Sequence, residues 1–200
     1  MNKKRESGKT NDEVKRFNRW AATYDQSILQ RVFFGPIQMR LLDCLTKETP
    51  KEPSHILDVG CGTGRLLRTM SYRWPNAELF GVDPAEHMIA EATRLNSKAT
   101  FKVGFAEALP LPDQTFDVVV TSLSFHHWSD QSKGIQEIAR VLCGNGLFCL
   151  VDHIFPLARL RGERVKSRKQ IQALINEAGL KVKLQRRLAL PFILITLAQK

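Results

Sequence analysis

Residues 56–67, with the sequence ILDVGCGTGRLL, constrain the fold of this chain more than any other stretch. An apolar run of strand type ends at Asp58 and Val59, three glycines follow at alternate positions, and a helical pattern begins at once. A glycine turn between a buried strand and a helix is typical of open α/β sheets, which bind nucleotide-like ligands there. We therefore expect the other elements to assemble around this turn.

Strand and helix patterns alternate along the chain from this point. The predicted strands cover residues 55–59, 78–82, 100–104, 116–121 and 147–151. The predicted helices between them cover residues 64–72, 85–95 and 131–142. Alternation at this spacing indicates right-handed crossovers, which place the strands parallel in one sheet with helices on both faces. The predicted fold class is therefore α/β.

The end of the chain departs from this alternation. A helix is predicted over residues 167–178, and two strands over residues 180–187 and 192–199. The turn between these strands, around Leu190 and Pro191, is short, and a short connection permits only antiparallel pairing. We expect the last strand to form an antiparallel hairpin with the preceding one.

The start of the chain changes character at Val14. The first thirteen residues are polar and charged and lack periodicity, whereas helical patterns cover residues 14–24 and 28–45. The predicted organisation is a flexible basic arm over residues 1–13 and a single domain over residues 14–200. Within this domain, residues 14–50 form an N-terminal helical cover and residues 54–200 form the α/β core.

The net charge of +10 is distributed unevenly along the chain. Residues 1–19 carry seven basic and three acidic side chains, and residues 155–187 carry ten basic and two acidic ones. The region between them carries more acidic than basic side chains. Basic flanks serve solubility, or they contact nucleic acid, an anionic membrane surface, an acidic carrier or an anionic substrate. The charge alone leaves these explanations open.

The composition predicts a cytoplasmic protein. No apolar run follows the basic residues at the start, and the longest strongly apolar run, residues 188–198, contains Pro191 and is too short to span a bilayer. The cysteines lack the spacing of a metal site, so we expect reduced, structural thiols and no metal at Cys44, Cys61, Cys143 and Cys149.

The spacing of the glycines decides which ligand suits the turn. A dinucleotide site requires Gly-x-Gly-x-x-Gly, but here the third glycine comes one residue early and Arg65 follows it. The Gly-Lys-Ser/Thr ending of a P-loop is also missing. Asp58 precedes the turn, where a carboxylate would repel a pyrophosphate and attract a cation. Asp83 ends the next strand, where a carboxylate accepts hydrogen bonds from ribose hydroxyls. The pattern favours a ribose-bearing ligand that is not a polyphosphate.

Four blocks of the sequence, in this order, resemble the class I S-adenosylmethionine-dependent methyltransferases. They are ILDVGCGTG over 56–64, GVDPAEHM over 81–88, AEALPLPD over 106–113 with Phe116 and Asp117, and RVL over 140–142. The resemblance is to the branch of quinone-biosynthesis and small-molecule methyltransferases, of the type 11 kind. It implies a methyltransferase enzyme and a three-layer αβα Rossmann-like sandwich, with a mostly parallel seven-stranded sheet and an antiparallel C-terminal hairpin strand.

The resemblance also implies S-adenosylmethionine as cofactor, S-adenosylhomocysteine as its product, and a set of cofactor contacts. The glycine turn would approach the methionine part, Asp83 would hold the ribose, and apolar residues after the second and third strands would flank the adenine. The whole set comprises Tyr24, Asp58, Gly60, Cys61, Gly62, Gly64, Asp83, Pro84, Met88, Ala106, Glu107, Ser122 and Leu123. Family members carry Asp or Asn before the alanine of the third block, where this chain has Phe105.

The methyl acceptor is expected at the carboxyl ends of the fourth and fifth strands, beside the segment SLSFHHW over 122–128. His126 and His127 are candidate general bases, because an imidazole with a pKa near neutrality can take a proton from the acceptor. The other interpretation is that one of them positions the cofactor or caps the next helix. His153, after the fifth strand, is a third candidate.

The leading hypothesis is methyl transfer by in-line displacement to a small-molecule acceptor. A basic segment would suit a large or anionic acceptor; it comprises Arg159, Arg161, Arg164, Lys166, Arg168 and Lys169. One alternative is a tRNA or other RNA methyltransferase that uses the basic flanks, although residues 121–124 lack the Asp/Asn-Pro-Pro-Tyr clamp for a flipped base. Another is a non-catalytic cofactor-binding partner subunit. The sequence predicts neither the acceptor atom nor the oligomeric state.

Overall fold

The computed structural model describes residues 2–28, 30–49, 51–96, 98–154, 164–188 and 192–200, with side chains from Asp12 onward except that of Arg31. The α-helices are α1 Asn2–Tyr24, α2 Gly35–Glu48, α3 Arg65–Arg73, α4 Glu86–Leu95, α5 Gln131–Val141 and α6 Arg168–Glu177. A π-helical turn, Gln30–Phe34, precedes α2, and a 3-10 turn, Phe125–His127, precedes α5. Among these described helices, none is both long and apolar enough to cross a bilayer.

The strands are β1 His55–Val59, β2 Glu78–Asp83, β3 Ala99–Val103, β4 Phe116–Ser122, β5 Leu142–His153, β6 Lys181–Arg187 and β7 Ile193–Gln199. They form one sheet in the order β3-β2-β1-β4-β5-β7-β6. The first five are parallel, and β7 lies antiparallel between β5 and β6. The predicted seven-stranded sheet and its C-terminal hairpin are confirmed. The turn predicted at Leu190 and Pro191 lies outside the described residues.

Two apolar layers fix helices to the two faces of the sheet. Helices α2, α3 and α4 pack on one face, where Leu41 and Leu67 are fully buried. Helices α5 and α6 pack on the other face, around Ile135. Along β1, Ile56 belongs to the first layer and Leu57 to the second, because successive side chains of a strand point to opposite faces. The predicted αβα sandwich is therefore confirmed.

The start of the chain differs from the prediction of an irregular arm over residues 1–13. Helix α1 begins at Asn2 and continues without a break to Tyr24. Its second half packs on α4, where Val14, Phe17 and Ala21 contact Met88. Once that half is fixed, each further residue adds a hydrogen bond at little cost, and Lys, Arg and Glu are good helix formers. The absence of a periodic apolar pattern in residues 1–13 therefore did not indicate the absence of a helix.

The second helix of the predicted cover is also shorter than expected. The pattern predicted one helix over residues 28–45, but α2 begins only at Gly35, with Pro36 in its first turn. Proline favours that place because the first helical residues have no intrahelical acceptor for their N–H groups. Ile28 and Val32, both within the predicted helix, are 78% and 72% exposed.

A half-buried carboxylate, that of Asp117, fixes the start of β1 against the start of β4. Oδ2 of Asp117 accepts hydrogen bonds from the backbone N–H groups of Ser54, at 2.8 Å, and His55, at 2.9 Å. Because β1 leads directly into the glycine turn, this attachment also fixes the position at which the turn begins. The parallel pairing of Ile56 with Val118 follows one residue later.

We predict that Asp117→Ala lowers the free energy of unfolding by about 1 to 3 kcal/mol, because two backbone donors lose a charged acceptor. Urea denaturation measures the change. Asp117→Asn keeps an acceptor oxygen and should lose less, and Asp12→Ala, on the exposed side of α1, should stay within about 0.5 kcal/mol of the parent protein. An Asp117→Ala protein as stable as the parent would contradict this assignment.

Candidate functional site

A cleft of about 1050 Å³ opens at the carboxyl ends of β1 to β4. The glycine turn and the segments after β2, β3 and β4 form its floor and one side, and residues of α1 and of the start of α2 form the other side. We call it the main cleft. Parallel strands bring their carboxyl ends to one edge of the sheet, which is why residues far apart in sequence meet here.

The glycine turn forms the centre of the main cleft. Its three glycines all have positive φ, from +53° to +77°. A Cβ atom on Gly60 would lie 1.8 Å from Oγ of Ser124, so this position accepts only glycine. Gly62 faces the ring of Tyr24 across the cleft, and a Cβ atom on Gly62 would lie 3.9 Å from Cε1 of the tyrosine. Gly64 caps α3 against the ring of Phe101 and does not line the cleft.

Asp83 connects the glycine turn to the end of β2. Its Oδ2 accepts the N–H of Gly62 at 2.9 Å, and its Oδ1 accepts the N–H of Ala85 at 2.9 Å. Burial raises the pKa of Asp83 to about 6, although these two hydrogen bonds act to lower it. Each oxygen keeps a second lone pair, and the residue lines the cleft. Asp83 could therefore accept hydrogen bonds from a ligand as well.

Two buried polar atoms of the main cleft lack a hydrogen-bond partner among the described residues. They are Oδ1 of Asp58 and Oγ of Ser122. Burial, together with the charge of Asp83, raises the pKa of Asp58 to about 8. A buried carboxyl without a partner is costly, and a cationic or hydrogen-bond-donating ligand would remove that cost. These orphaned atoms fit a cofactor that carries ammonium, sulfonium and hydroxyl groups.

Helix α1 closes the side of the cleft opposite the sheet. Tyr24 packs edge-on against Trp20, with 4.8 Å between ring centroids, and burial raises the pKa of Tyr24 to about 12. Asp25 accepts hydrogen bonds from Oγ1 of Thr63 and from the guanidinium of Arg68. This ion pair attaches the end of α1 to the beginning of α3, directly beside the glycine turn.

The far end of the cleft is apolar on one side and polar on the other. Pro84 and the fully buried Met88 line it after β2, and Phe105 and Ala106 line it after β3. Phe105 therefore offers an aromatic surface to the cleft. Glu107 also lines the cleft, and its Oε1 accepts hydrogen bonds from Oγ of Ser129, at 2.7 Å, and the N–H of Asp130, at 2.9 Å.

The two candidate histidines lie in different surroundings. His126 is buried behind the cleft, and its Nδ1 and backbone N–H both donate to Asp152, at 2.7 and 2.9 Å. Burial acts to raise the pKa of Asp152, but the charge and hydrogen bond of His126 outweigh it and hold that pKa below its usual value. With the N–H of His153 at 2.7 Å, both carboxylate oxygens are in use. This arrangement fastens the 3-10 turn to β5.

His127 lies on the wall of the main cleft instead. Its Nδ1 is 3.4 Å from Oε1 of Glu13, and its ring meets that of Phe17 edge-on, with 5.3 Å between centroids. Burial lowers the pKa of His127, while the hydrogen bond with Glu13 acts to raise it. A neutral imidazole held by a carboxylate at one nitrogen can accept a proton at the other.

The structure thus brings most of the predicted residues together. Those that line the main cleft are Tyr24, Asp58, Gly60, Cys61, Gly62, Asp83, Pro84, Met88, Ala106, Glu107, Ser122, Leu123 and His127. Gly64 and His126 are placed beside it. Lining residues that sequence reasoning missed include Glu13, Gln30, Phe34 and Gln38. Of the predicted basic rim, Arg159 and Arg161 lie outside the described residues, and the N–H of Arg164 donates to the carbonyl of His126 at 3.3 Å.

Comparison with known proteins gives the same picture. A family model described as "Methyltransferase domain" matches residues 57–150. Malonyl-[acyl-carrier protein] O-methyltransferase of Geobacter sulfurreducens is 38% identical over 138 residues, which are 66% of this chain and 49% of that protein. Demethylmenaquinone methyltransferase of Thermus thermophilus is 37% identical over 106 residues, 51% of this chain and 48% of that protein. The chain thus spans about half the length of these relatives.

A solved structure covers more of both chains. The YcgJ protein from Bacillus subtilis, an uncharacterized methyltransferase, superimposes with a TM-score of 0.66 at 30% identity, covering 75% of this chain and 73% of that one. A Rossmann-like sheet with this glycine turn and acidic strand ends defines a class I methyltransferase domain. The chain belongs to the family of S-adenosylmethionine-dependent methyltransferases.

We predict that Asp58→Asn makes the stability of the ligand-free protein less dependent on pH. Asp58 binds a proton more tightly when folded, with a pKa of about 8, than when unfolded, near 3.8, so the free energy of unfolding falls as pH rises between these values. From about pH 6 to about pH 8.5 the parent protein should lose about 1 to 3 kcal/mol more than the variant. Urea denaturation at both pH values tests this, and equal losses would contradict it.

Proposed function

We propose that this chain transfers a methyl group from S-adenosylmethionine to a small-molecule acceptor, with His127 as the general base. The observation that carries the proposal is the composition of the main cleft. Its floor has a glycine turn between two buried carboxyls, and its wall has an imidazole, His127, that is held by Glu13. The first arrangement suits a cationic nucleoside, and the second suits removal of a proton from an acceptor.

The residues of the floor would hold the cofactor. S-adenosylmethionine supplies a methyl group bonded to a positively charged sulfur. Asp83 would accept hydrogen bonds from the ribose hydroxyls, and Asp58 would face the cationic methionine part across the glycine turn. Pro84, Met88 and Phe105 would enclose the adenine with apolar surface. Tyr24, the last residue of α1, would exclude water from this side of the cleft, since its ring faces Gly62.

The wall of the cleft would serve the acceptor. Glu13 fixes His127 through Nδ1, so Nε2 takes the proton from the acceptor atom as that atom attacks the methyl group. Because burial lowers its pKa, the imidazole is neutral, and so able to act as a base, at neutral pH. Phe17 packs on the imidazole from α1 and limits its rotation. His126 serves as a positioning residue, because it is buried outside the lining of the main cleft and fastens the 3-10 turn to Asp152.

Three observations favour a small molecule over RNA as the acceptor. The main cleft is concave, is closed on one side by α1, and is lined by apolar side chains together with a few polar groups, as small-ligand sites are. Its described lining contains four carboxylates, Glu13, Asp58, Asp83 and Glu107, and a single guanidinium, that of Arg65, which does not favour a phosphate backbone. The relatives named above act on demethylmenaquinone or on a malonyl group carried by acyl-carrier protein, and neither acceptor is RNA.

The direct test is to incubate the protein with methyl-labelled S-adenosylmethionine and, separately, with the small-molecule and RNA fractions of an extract of its host. The proposal expects label in the small-molecule fraction. Label confined to RNA would establish the RNA alternative. Tight cofactor binding without any transfer would establish a non-catalytic partner subunit.

We predict that His127→Ala lowers the rate of this methyl transfer by about 10²- to 10⁴-fold, the usual contribution of a general base. Affinity for S-adenosylhomocysteine, measured by calorimetry, should change less than about twofold, because the floor of the cleft is intact. His55→Ala, on the exposed start of β1, provides the matched control and should transfer at the parent rate.

Glu13→Gln gives a finer readout of the same pair. Glu13 acts to raise the pKa of His127, so the variant should retain activity to lower pH than the parent protein does. Parent-like rates for His127→Ala across the whole pH range would remove His127 from the mechanism.

A further inference from the structure

A second cleft, of about 810 Å³, lies where α2 passes the end of β6. Its described lining is Arg40, Asp43 and Lys47 of α2, Arg186 and Arg187 of β6, and Leu188 after it. We call it the basic cleft. Arg40, Asp43 and Lys47 follow one another at helical spacings of three and four, so they share one face of α2.

The charges of the basic cleft are not balanced within the described structure. Four cationic side chains surround it with a single carboxylate, that of Asp43. None of the four cations forms a side-chain hydrogen bond or an ion pair with any residue that the structure describes. Like charges gathered around a concavity repel one another and focus a positive potential in it. An anion in the cleft would relieve that repulsion.

The register of the sheet relates the basic cleft to the main cleft. Ser122, which lines the main cleft, pairs with Val151 of β5, Val151 pairs with Ile195 of β7, and Ile195 pairs with Arg186. Arg186 therefore lies three strands from Ser122 at the same edge of the sheet. With neighbouring strands about 4.8 Å apart, the backbones are separated by about 14 Å.

Helix α2 gives an independent connection between the two clefts. Phe34, just before α2, and Gln38 line the main cleft, whereas Arg40, two residues further on, lines the basic cleft. A helix rises about 1.5 Å per residue, so one element carries both linings within about one turn. Gln38 and Arg40 are about 200° apart around the helix axis, so a molecule bound at the acceptor wall of the main cleft would reach the basic cleft by passing around α2.

We infer that the basic cleft binds a phosphate or pyrophosphate group on the methyl acceptor; this rests on the proposed function. The choice of anion follows from charge. Four cations and one carboxylate leave an excess of three positive charges, and a phosphate monoester carries about −1.5 to −2 at neutral pH. A carboxylate would balance less of the excess. Arginine side chains, here those of Arg40, Arg186 and Arg187, also suit bidentate contacts to phosphate oxygens.

In this inference the reactive end and the anionic end of the acceptor bind in different places, whereas the sequence predicted a single basic rim for an anionic acceptor. The reactive end of the acceptor enters a cleft lined by carboxylates, and its anionic end lies outside that cleft, about 14 Å away. The competing explanation of the cations is protection of the edge strand β6, since lysine and arginine on an edge strand discourage pairing with other chains. The two explanations differ in what neutral variants do.

The test is calorimetric titration of the full chain, saturated with S-adenosylhomocysteine, with inorganic pyrophosphate at low salt. The parent protein should bind one pyrophosphate, and R186Q/R187Q should bind it at least tenfold more weakly. K98Q/K133Q removes the same net charge from two exposed lysines elsewhere and should stay within about twofold of the parent. Affinity for S-adenosylhomocysteine should be unchanged in both variants.

Three results would overturn the inference. One is saturable cofactor binding by the parent protein with no binding of pyrophosphate. A second is equal pyrophosphate affinity for R186Q/R187Q and the parent, with self-association of the variant alone, which would establish edge protection. A third is steeply salt-dependent binding of RNA at these residues that pyrophosphate does not displace. Failure of S-adenosylhomocysteine to bind the parent protein would instead contradict the proposed function, so the two failures are distinguishable.

Discussion

The hydrogen bonds of Asp83 are the interaction on which the site depends. One carboxylate holds Gly62 of the glycine turn and Ala85 before α4, and so fixes two neighbouring strand ends relative to each other. The turn is also held by the N–H groups of Gly60 and Cys61, which donate to the carbonyl of Val82 at 2.7 and 3.1 Å, while its glycines sit in a left-handed conformation. Burial of Asp83 and Asp58 without a cation raises both pKa values, to about 6 and about 8. The free protein therefore stores an unfavourable electrostatic arrangement that a cationic ligand relieves.

Acidic and basic side chains are separated in the folded structure, as they are along the chain. The central region is mildly acidic, and it supplies most of the carboxylates that line the main cleft. The basic flank supplies Arg186 and Arg187, at the same edge of the sheet but three strands away. Because the sheet keeps these regions apart, one chain can present a negative cleft to a sulfonium compound and a positive cleft to an anion. Neither charge then screens the other strongly.

Local sequence patterns determined much of the fold and of the cleft floor. The strands, the glycine turn and Asp83 were predictable because each depends on neighbouring residues and on the rule that parallel strands end at one edge. The side of the cleft formed by α1 was not predictable, because Glu13 lies in a polar stretch whose helix depends on packing against α4. Likewise, sequence could not separate His126 from His127. Their different environments come from Asp152 on β5 and Glu13 on α1, and both of these residues are far from the histidines in sequence.

The basic cleft was unpredictable for a related reason. Its cations come from α2 and β6, which meet only because β7 inserts between β5 and β6. The sequence instead predicted a basic rim in the segment after β5, on the evidence of composition alone. A short charge-rich segment indicates how many cations are near one another in sequence, whereas a binding site depends on which of them share a concave surface.

The most direct test of the account is the binding of S-adenosylmethionine at about pH 7, measured by calorimetry in two buffers of different ionisation enthalpy. The account predicts one molecule per chain and release of protons, because a cation beside Asp58 lowers a pKa that burial had raised to about 8. An Asp58→Asn protein should bind without that release. Absence of saturable binding, or binding by the parent protein without proton release, would contradict the claim that these two carboxyls are built to receive a cationic nucleoside.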